Sequence, residues 1–483
     1  MKMRKLVSLL LVGCMTLGLV ACGDTSVKES EESKSSVPTS SSEVSGSVEE
    51  EVVKNPYEGT SIEVWGVLPE EVTAEVMSAS WWNLTVAAMD EWAALNGVTM
   101  EWKGAWNQNA FMAAVAGGEK PDMIFSYALF PNTVNYGFSQ PLSDEAYEKL
   151  AAVCGEQFLD ALVSKGECYG VNLPANGTYV TYYNKTMFDN YGVKTPKEYF
   201  MEGNWTWETF EQCMTEVTKD LDGDGVNDTY GMASNWFDRL AGVAAAEGSD
   251  GKLTSNMDTE KFRDYAEIFY KGVNETGSIV MGTANIKSQL ENPRPAMMFL
   301  DNRMWDISKY FQTLGNGDVI EFVPIPAHSS DETVQMELLS YCLLIPKASD
   351  NVDAAVDMMS YVLQCHMKFR EDASLGLFTS EFEGLQGTTA VSAAWLADHK
   401  VQMESRKAYL EDPAYDEEYL KAMVEYQNNA EFYIQRYWAG VDIPGRGEGD
   451  FEALGTMPPA SSMAEMIPIF QGQLDSYNSM YVY

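Results

Sequence analysis

A run of acidic residues and glycines between residues 219 and 231, KDLDGDGVNDTYG, has the residue types and spacing of a calcium-binding loop. Carboxylates at alternating positions followed by a glycine match the pattern D-x-[DN]-x-[DN]-G, in which the glycine permits a sharp turn. Calcium takes about six to eight oxygen ligands, and such a loop can bring them to one point. The candidate ligands are Asp220, Asp222, Asp224, the carbonyl of Val226, and Asp228.

The end of this run differs from a calcium sensor. A sensor loop has a bidentate glutamate at its twelfth position, where this chain has Gly231. A sensor also needs helices that change their angle, usually in paired copies, and the sequence contains no second loop of this kind. We therefore expect a structural calcium ion that braces the loop. A plain turn of Asp and Gly residues without metal stays open as the alternative.

Aromatic residues beside amides and carboxylates form a second set of candidates. Most of the 12 Trp, 25 Tyr and 20 Phe must fill a hydrophobic core, so core packing is the alternative for each ring. A minority of the rings lie where predicted strands end. A sugar has apolar C–H faces and polar edges, and rings next to polar side chains suit both. The candidate ligand-binding residues are Trp65, Trp106, Tyr127, Phe130, Asn132, Trp236, Asp301 and Trp305.

Catalytic motifs are missing from the sequence. His328, His366 and His399 are isolated, and no G-x-S-x-G nucleophile elbow or H-x-x-x-H metal pair occurs. A surface glycoside hydrolase would need two carboxylates across a sugar cleft. With 72 Asp and Glu residues, pairs of carboxylates carry no information about such a site. We therefore predict a protein that is not an enzyme, with the glycoside hydrolase as the less favoured alternative.

The N-terminus predicts export. Residues 1–21 combine a basic start with an apolar stretch, which is typical of a signal peptide. The end of this stretch, LVACG, resembles a bacterial lipobox, and this resemblance implies cleavage before Cys22 and lipidation of its thiol; an ordinary secretory signal is the alternative. Residues 22–56 are rich in Ser and Glu, so we expect a lipidated cysteine and a disordered tether. The predicted location is the extracytoplasmic face of the cell membrane, through a lipid anchor.

Charge and cysteine usage narrow the function classes further. The formal net charge of −40 opposes nucleic-acid binding, which requires Lys and Arg against phosphates. Five cysteines remain after Cys14 and Cys22, an odd number at irregular spacing that predicts neither a disulfide framework nor a zinc site. A bridge between Cys154 and Cys168 stays open.

The order of predicted elements favours an α/β fold. Ile62 and Val64 alternate with polar residues as in a strand, apolar residues from about 70 to 95 recur at helical spacing, and residues 98–102 alternate again. A strand, a helix and a strand over this length predict a βαβ unit.

Five segments in order resemble the bacterial extracellular solute-binding proteins of family 1, which serve ATP-driven (ABC) importers. They are GGEKPDMIFSYALFPNTVNYGFSQPLSD, YGVNLPANGTYVTYYNKTMFDNYGVKTPK, NWTWETFEQCMTEVTKDLDGDGVNDTYGMA, PAMMFLDNRMWDI and LLSYCLLIPKASDNVDAAVDMMSYVL. The resemblance extends from about residue 61 to residue 363. The C-terminal hundred residues are helical in pattern but carry no recognisable motif.

This resemblance implies a two-lobe periplasmic-binding-protein fold, with hinged α/β lobes that close on a ligand in the cleft between them. The N-terminal lobe is expected at 57–180 plus 336–364 and the C-terminal lobe at 181–335 plus 365–483. The implied function is capture of a carbohydrate, an oligosaccharide, and its delivery to the ABC permease subunits by a monomeric protein. No cofactor is required for this function, and the calcium ion expected at the loop of residues 219–231 is structural. A non-sugar solute, such as a peptide or polyamine, is the alternative, because the motifs belong to the scaffold.

Overall fold

The structure is a computed structural model, and the statements below concern the residues that it describes: 55–66, 82–105, 107–127, 130–173, 179–234, 237–240, 242, 244–282, 293–301, 317–338, 341–374, 384–397, 417–434, 436, 455 and 457–481. The predicted signal peptide, Cys22 and most of the tether lie outside these ranges, as do Trp106, Trp236 and Trp305. None of the described helices is long and apolar enough to cross a membrane. Residues Lys54–Tyr483 form one compact unit.

The helices and strands alternate along the chain as in α/β proteins. The helices are α1 (Trp82–Asn96), α2 (Gln108–Ala116), α3 (Asn132–Asn135), α4 (Asp144–Cys154), α5 (Gln157–Asp160), α6 (Lys185–Tyr191), α7 (Pro196–Met201), α8 (Trp207–Glu216), α9 (Glu260–Asn274), α10 (Val352–Ser374), α11 (Glu417–Asn428) and α12 (Pro459–Tyr481). The strands are β1 (Ser61–Gly66), β2 (Thr99–Ala105), β3 (Met123–Tyr127), β4 (Val163–Ser164), β5 (Glu167–Cys168), β6 (Gly170–Asn172), β7 (Tyr179–Asn184), β8 (Thr229–Tyr230), β9 (Met232–Ala233), β10 (Ala245–Glu247), β11 (Leu253–Ser255), β12 (Ile279–Val280), β13 (Arg294–Pro295), β14 (Met297–Asp301), β15 (Ile320–Pro324), β16 (Gln335–Leu338), β17 (Tyr341–Leu344) and β18 (Glu431–Ile434).

A five-stranded sheet organises the first part of the chain, in the order β2-β1-β3-β17-β6. The first three of these strands run parallel, and β17 is antiparallel to both of its neighbours. The predicted βαβ unit is therefore present as β1, α1 and β2, although the predicted start of the helix near residue 70 lies outside the described residues. Ile62 and Val64, which alternate with polar residues in β1, are completely buried.

A three-stranded antiparallel sheet, in the order β14-β7-β15, organises the second part. All six residues of the central strand β7, YVTYYN, are buried. A strand that is covered on both faces needs apolar and aromatic residues at successive positions, and β7 has them. Helices and loops around this sheet bury large rings, among them Phe188, Phe210, Phe237 and Phe269.

Each sheet has its own hydrophobic core. We call the residues that pack around the five-stranded sheet the first lobe, and those that pack around the three-stranded sheet the second lobe. The chain passes from the first to the second lobe between β6 and β7, and returns between β16 and β17. Tyr341, at the start of β17, packs against both cores. The exact lobe limits expected from the sequence remain a prediction.

The C-terminal residues, which carry no recognisable motif, contribute to both cores. Leu385 and Trp395 pack in the core of the first lobe. Tyr419 on α11 and Phe470 and Leu474 on α12 pack in the core of the second lobe. The described parts of this C-terminal region therefore belong to the folded body.

The five cysteines of the described residues are all free, including Cys154 and Cys168. The Cys154 thiol donates a hydrogen bond to the Leu150 carbonyl at 3.4 Å, and the Cys168 thiol donates one to the Gly170 carbonyl at 3.3 Å. Burial raises the pKa of Cys168 to about 11, so its thiol stays protonated and unreactive at neutral pH. The structure therefore does not support the bridge that the sequence left open.

Candidate functional site

The ends of the strands in each sheet meet at the edge where the chain crosses between the lobes. In the first lobe, β3 ends at Tyr127, which pairs with Tyr341, and β6 ends at Asn172, which pairs with Cys342. In the second lobe, Tyr179 begins β7 opposite Asp301, the last residue of β14. Ligands of open α/β sheets bind beyond such strand ends, and these two edges are joined by the crossing segments.

The described candidates for ligand binding lie at or just beyond these strand ends. Trp65 is next to the end of β1, Tyr127 ends β3, and Asp301 ends β14. Phe130 and Asn132 follow β3 at the start of α3. Four of these candidates thus lie at or just beyond the strand ends of the first lobe and Asp301 lies at a strand end of the second lobe, and their role in ligand binding stays a prediction. Trp106, Trp236 and Trp305 lie outside the described residues.

The rings of Trp65 and Phe130 are packed inside the first lobe. Trp65 is 8% exposed; its Nε1–H donates to Glu63 Oε1 at 2.6 Å, and its ring meets Phe111 edge-on at 5.3 Å between centroids. Phe130 is 1% exposed, and the guanidinium of Arg436 lies 5.2 Å from its ring centroid. In this arrangement both rings shape the edge of the site from inside the core, which is the alternative that the sequence left open for each ring.

The end of β1 also requires a glycine. Gly66 has φ of +137°, and a Cβ at this position would lie 1.6 Å from the carbonyl oxygen of Phe125. Only a residue without a side chain lets the end of β1 approach β3 this closely. Gly66 therefore keeps the ends of two strands together at the edge of the first lobe.

Several polar side-chain atoms on and around α3 are buried and have no hydrogen-bond partner in the part of the chain that the structure describes. The side-chain oxygens of Asn132 and Asn135 accept no hydrogen bond from the described residues, and neither do the hydroxyls of Thr133 and Ser139. Asn135 Nδ2 donates to the Tyr477 hydroxyl of α12 at 2.5 Å, so one side of this amide is already used. Buried acceptors without a donor cost about 1 to 3 kcal/mol each, which a bound molecule with hydroxyl groups would relieve.

A buried ion pair connects the two lobes next to α3. Arg436 Nη1 lies 2.7 Å from Glu247 Oε2, and Arg436 Nη2 donates to the Ala161 carbonyl of the first lobe at 3.3 Å. Burial lowers the pKa of Arg436, while the Glu247 carboxylate opposes this shift. This pair could not be found from the sequence, because its members lie 189 residues apart and have no local pattern.

A second buried ion pair lies beside both crossing segments, within the second lobe. Arg239 Nη1 lies 3.0 Å from Glu337 Oε2, and both side chains are almost completely buried. The guanidinium also lies 4.3 Å from the ring centroid of Tyr179, at the start of β7. Arg239 therefore joins the strand that enters the second lobe to the strand that leaves it.

The predicted calcium loop places three carboxylates together. One oxygen each from Asp220, Asp222 and Asp224 lies within 4.8 Å of the other two, and all three residues are exposed. The carboxylates also accept backbone N–H groups of the loop: those of Gly223 and Gly225 for Asp220, and that of Val226 for Asp224. Bonds of this kind fix the carboxylates in place, and the remaining oxygen lone pairs suit a hard cation. The residues therefore fit calcium, which remains a proposal.

This loop lies away from the edge with the strand ends. The backbone of Asp228 pairs with that of Lys219, and its carbonyl accepts the Arg294 N–H of β13 at 2.9 Å. β13 leads into the start of β14, whereas Asp301 lies at the other end of that strand, about 13 Å away at the usual rise per residue. This position agrees with the predicted role of the loop as a brace of the second lobe, which stays a proposal.

The two described histidines, His328 and His366, both make hydrogen bonds to other side chains. His366 is completely buried in α10, and its Nε2 lies 2.8 Å from the hydroxyl of Thr85 on α1. The ring of His328 lies 2.8 Å from both Asp264 and Glu332 and packs edge-on against Trp207. Both histidines therefore have structural partners, and His366 has no access to a dissolved substrate.

The sequence matches the family profile of the bacterial extracellular solute-binding proteins over residues 83–364, more than half of the chain. The chain belongs to this family. The prediction from the five ordered segments is thereby confirmed. No curated protein sequence is significantly similar to this chain.

The structure of this solute-binding protein resembles solved structures of other binding proteins at low sequence identity. The sugar-binding protein MalE of Xanthomonas citri has a TM-score of 0.58 at 15% identity, with 87% of this chain and 99% of that chain covered. UgpB of Mycobacterium tuberculosis, in complex with glycerophosphocholine, has a TM-score of 0.55 at 14% identity, covering 86% of this chain and 98% of that one. An ABC substrate-binding protein of Listeria monocytogenes, in complex with cycloalternan, has a TM-score of 0.53 at 16% identity, covering 87% and 98%.

These similarities show the fold. The predicted α/β architecture with two lobes, characteristic of solute-binding proteins, is confirmed. The extracellular character of the family agrees with the predicted location outside the cytoplasm.

Proposed function

We propose that this chain is the substrate-binding component of an ABC importer and that it captures a carbohydrate, an oligosaccharide, between its lobes and delivers it to the permease. Membership of the family supports the binding and transport role. In this proposal the mature protein is a monomer that is held at the outer face of the membrane by a lipid on Cys22. The ligand is bound and released unchanged, and the protein is not an enzyme.

The observation that carries the proposal is a group of buried acceptors on α3 that have no partner among the described residues. The side-chain oxygens of Asn132 and Asn135 are buried on this helix, which follows the end of β3. Hydroxyl groups of a sugar are donors that could satisfy them, and binding sites of this type combine apolar walls with a few placed polar groups. The structure of the sugar-binding protein from Xanthomonas citri has the same fold.

Two described ion pairs lie beside the strand ends, and each is neutral as a pair. Arg436 is paired with Glu247, and Arg239 is paired with Glu337. An anionic phosphodiester would prefer an arginine without a carboxylate partner, and a polyamine would prefer an unpaired carboxylate. These two pairs therefore offer no free charge to a phosphodiester or a polyamine, which agrees with an uncharged ligand that has many hydroxyl groups.

Lobe closure would supply the affinity. Crossing segments between β6 and β7 and between β16 and β17 provide two points about which the lobes can rotate, as in other two-lobe binding proteins. Closure removes the ligand from water and adds contacts from the second lobe. A ligand shifts the lobes towards the closed arrangement only through its higher affinity for that arrangement.

Tryptophan fluorescence and the melting temperature of the chain, measured with a panel of oligosaccharides in calcium, test the proposal. We expect a saturable response to one series of sugars. The variant Asn132→Ala should weaken that response about tenfold, because it removes a buried acceptor. The variant Asn190→Ala, in which an exposed asparagine of α6 is changed, should leave it unaltered.

Other outcomes would redirect the proposal. Release of shorter sugars during the titration would identify a glycoside hydrolase. A flat response to every sugar would contradict carbohydrate capture and favour a peptide or another solute.

A further inference from the structure

The two lobes contact each other through a small buried polar cluster, which we call the cross-lobe seam. Its members are Ala161, Ser164 and Lys165 of the first lobe and Glu247 and Arg436 of the second-lobe side. Ser164 and Lys165 belong to the hairpin of β4 and β5, and Glu247 ends β10 in the hairpin of β10 and β11. The seam therefore joins two hairpins, one from each lobe.

The Glu247 carboxylate is the centre of the seam. Its Oε1 accepts the Ser164 hydroxyl at 2.6 Å and the backbone N–H of Lys165 at 3.2 Å. Its Oε2 accepts Arg436 Nη1 at 2.7 Å, and its side chain is only 4% exposed. Two of these three donors come from the first lobe. The Glu247 carboxylate therefore keeps all three hydrogen-bond donors only while the lobes are in contact.

The Arg436 guanidinium reaches the first lobe independently. It donates to the Ala161 carbonyl at 3.3 Å and lies 5.2 Å from the ring centroid of Phe130. Arg436 follows β18, which pairs with β16, the strand that leads into the second crossing segment. The first lobe is therefore contacted from two separate places in the second lobe: by Glu247 at the end of β10 and by Arg436 after β18.

α12 adds a parallel set of contacts between the lobes. The Tyr477 hydroxyl accepts Asn135 Nδ2 of the first lobe, and the ring of Tyr481 meets Tyr136 edge-on at 6.3 Å. Asn478 of the same helix is hydrogen-bonded to both the N–H and the carbonyl of Leu253 in β11. Because α12 is attached to the same hairpin as Glu247, the contacts of Tyr477 and Tyr481 form in the same arrangement as the seam.

We propose that Glu247 and Arg436 are positioning residues that hold the lobes together before a ligand binds, and that they raise ligand affinity without contacting the ligand. The effect on affinity rests on the solute-binding function proposed above, whereas the effect on lobe separation does not. An apparent dissociation constant equals the intrinsic one divided by the fraction of molecules in the binding-competent arrangement. Weakening the seam lowers that fraction and raises the apparent constant.

The variant Glu247→Gln tests this role with little change in shape. Asp318→Asn is the matched control, because its carboxylate is paired with Arg294 at 3.4 Å and with Asn184 at 2.8 Å entirely within the second lobe. Small-angle X-ray scattering without ligand reports the separation of the lobes. Hydrogen exchange of residues 161–168 and 245–253 reports opening of the seam itself.

For Glu247→Gln, we expect a larger radius of gyration and about tenfold faster exchange in both hairpins, because the hydrogen bonds lost involve a charged group. Asp318→Asn should match the unmodified chain in both measurements. Ser164→Ala removes a single donor from the first-lobe side of the seam. It should increase the radius of gyration and the exchange rates in the same direction as Glu247→Gln, but by less. It replaces Glu247→Gln as the test if that variant does not fold.

Unchanged scattering in both seam variants would overturn the inference. Faster exchange without a change in scattering would also overturn it, because it would show only that the seam packs the two hairpins locally. With a sugar that the unmodified chain binds, Glu247→Gln should raise the dissociation constant about tenfold at unchanged stoichiometry. If no sugar binds the unmodified chain, the proposed function fails, while the scattering comparison still decides the role of the seam.

Discussion

Single buried groups in this protein carry a pH dependence that their sequence context does not reveal. His366 is completely buried, and burial lowers its pKa from 6.5 to about 3. Its Nε2 has a partner in Thr85, whereas its Nδ1 has none among the described residues. Charging this ring inside the core would therefore add a cation without compensation.

We expect the free energy of unfolding to decrease as the pH is lowered, partly because of His366. Below pH about 6.5 the unfolded chain binds a proton at this residue and the folded chain does not, so the free energy of unfolding decreases by up to about 1.4 kcal/mol per pH unit. His366→Gln should flatten that slope between pH about 6.5 and 5, as measured by urea unfolding. His328→Gln is the control, because His328 is partly exposed and lies beside two carboxylates. Equal slopes in the unmodified chain and in His366→Gln would contradict the assignment.

At the residue scale, the sequence predicted where candidate residues lie along the strands, but not whether their rings are buried. Trp65 and Tyr127 were predicted to lie where strands end, and they do, whereas Asp301, chosen only because it is close to a ring in the sequence, also ends a strand. The burial of the Trp65 and Phe130 rings could not be read locally, since it depends on Phe111 and Arg436, which the fold brings from elsewhere. Asn135 was missed because an asparagine in a short helix has no distinguishing pattern until Tyr477 lies next to it.

At the scale of elements, one carboxylate attaches the C-terminal region to the first lobe. Glu91 on α1 is completely buried, and it accepts the backbone N–H groups of Gln386 and Thr388 at 2.9 Å and the Ser392 hydroxyl at 2.5 Å. Burial alone would raise its pKa, but these hydrogen bonds outweigh it, and the pKa is lowered. Its contribution to stability is therefore present above its ordinary titration range and is lost as the pH falls.

Replacement of Glu91 by Gln should destabilise the protein. The amide puts an N–H₂ group among donors, so at least one charged hydrogen bond is lost, at a cost of about 1.5 to 3 kcal/mol. The free energy of unfolding in urea measures this cost. Glu148→Gln, on the exposed side of α4, should change it by less than about 0.5 kcal/mol. Equal stabilities of the two variants would show that residues 384–397 are not held through Glu91.

The loop between α8 and β8 should respond to calcium as an element of its own. If Asp220, Asp222 and Asp224 bind the ion, calcium at about a hundredfold excess over its dissociation constant stabilises the folded chain by about 2.7 kcal/mol. The melting temperature should therefore rise with calcium, and Asp222→Asn should abolish the rise. Asp331→Asn, an exposed aspartate in another loop, should retain it. A melting temperature independent of calcium would favour the plain turn.

The elements themselves follow closely from local signals. The apolar spacing that predicted a helix up to residue 95 corresponds to α1, which ends at Asn96, and the alternation after it corresponds to β2. The attachment of the described C-terminal residues to both cores was not predictable, because its anchors, such as Glu91 with Ser392, lie about three hundred residues apart.

At the scale of the whole molecule, the order of motifs was more informative than any motif alone. The five segments recognised in the sequence span the crossings between β6 and β7 and between β16 and β17, and that order predicted the two-lobe fold that the family match and the solved structures support. The seam around Glu247 and Arg436 could not be predicted in this way, since it exists only when separate hairpins meet. The fold could thus be predicted from the order of local motifs, whereas the contacts between the lobes depend on residues that are far apart in the sequence.

The last prediction concerns how the whole protein is held in place. If Cys22 is lipidated, more than one acyl chain would retain the mature protein firmly at the membrane surface, and the Ser- and Glu-rich residues that follow would let the body move beside the permease. Cys22→Ser should move the protein from the membrane fraction to the soluble fraction, as measured by fractionation of expressing cells. Cys14→Ser is the matched control, because it lies in the segment removed with the signal peptide and should not change the distribution. A Cys22→Ser protein that stays in the membrane fraction would show that retention does not depend on the Cys22 thiol, which contradicts the predicted anchor. An unmodified protein in the soluble fraction would show that the lipobox resemblance is misleading and that the protein reaches its importer by diffusion.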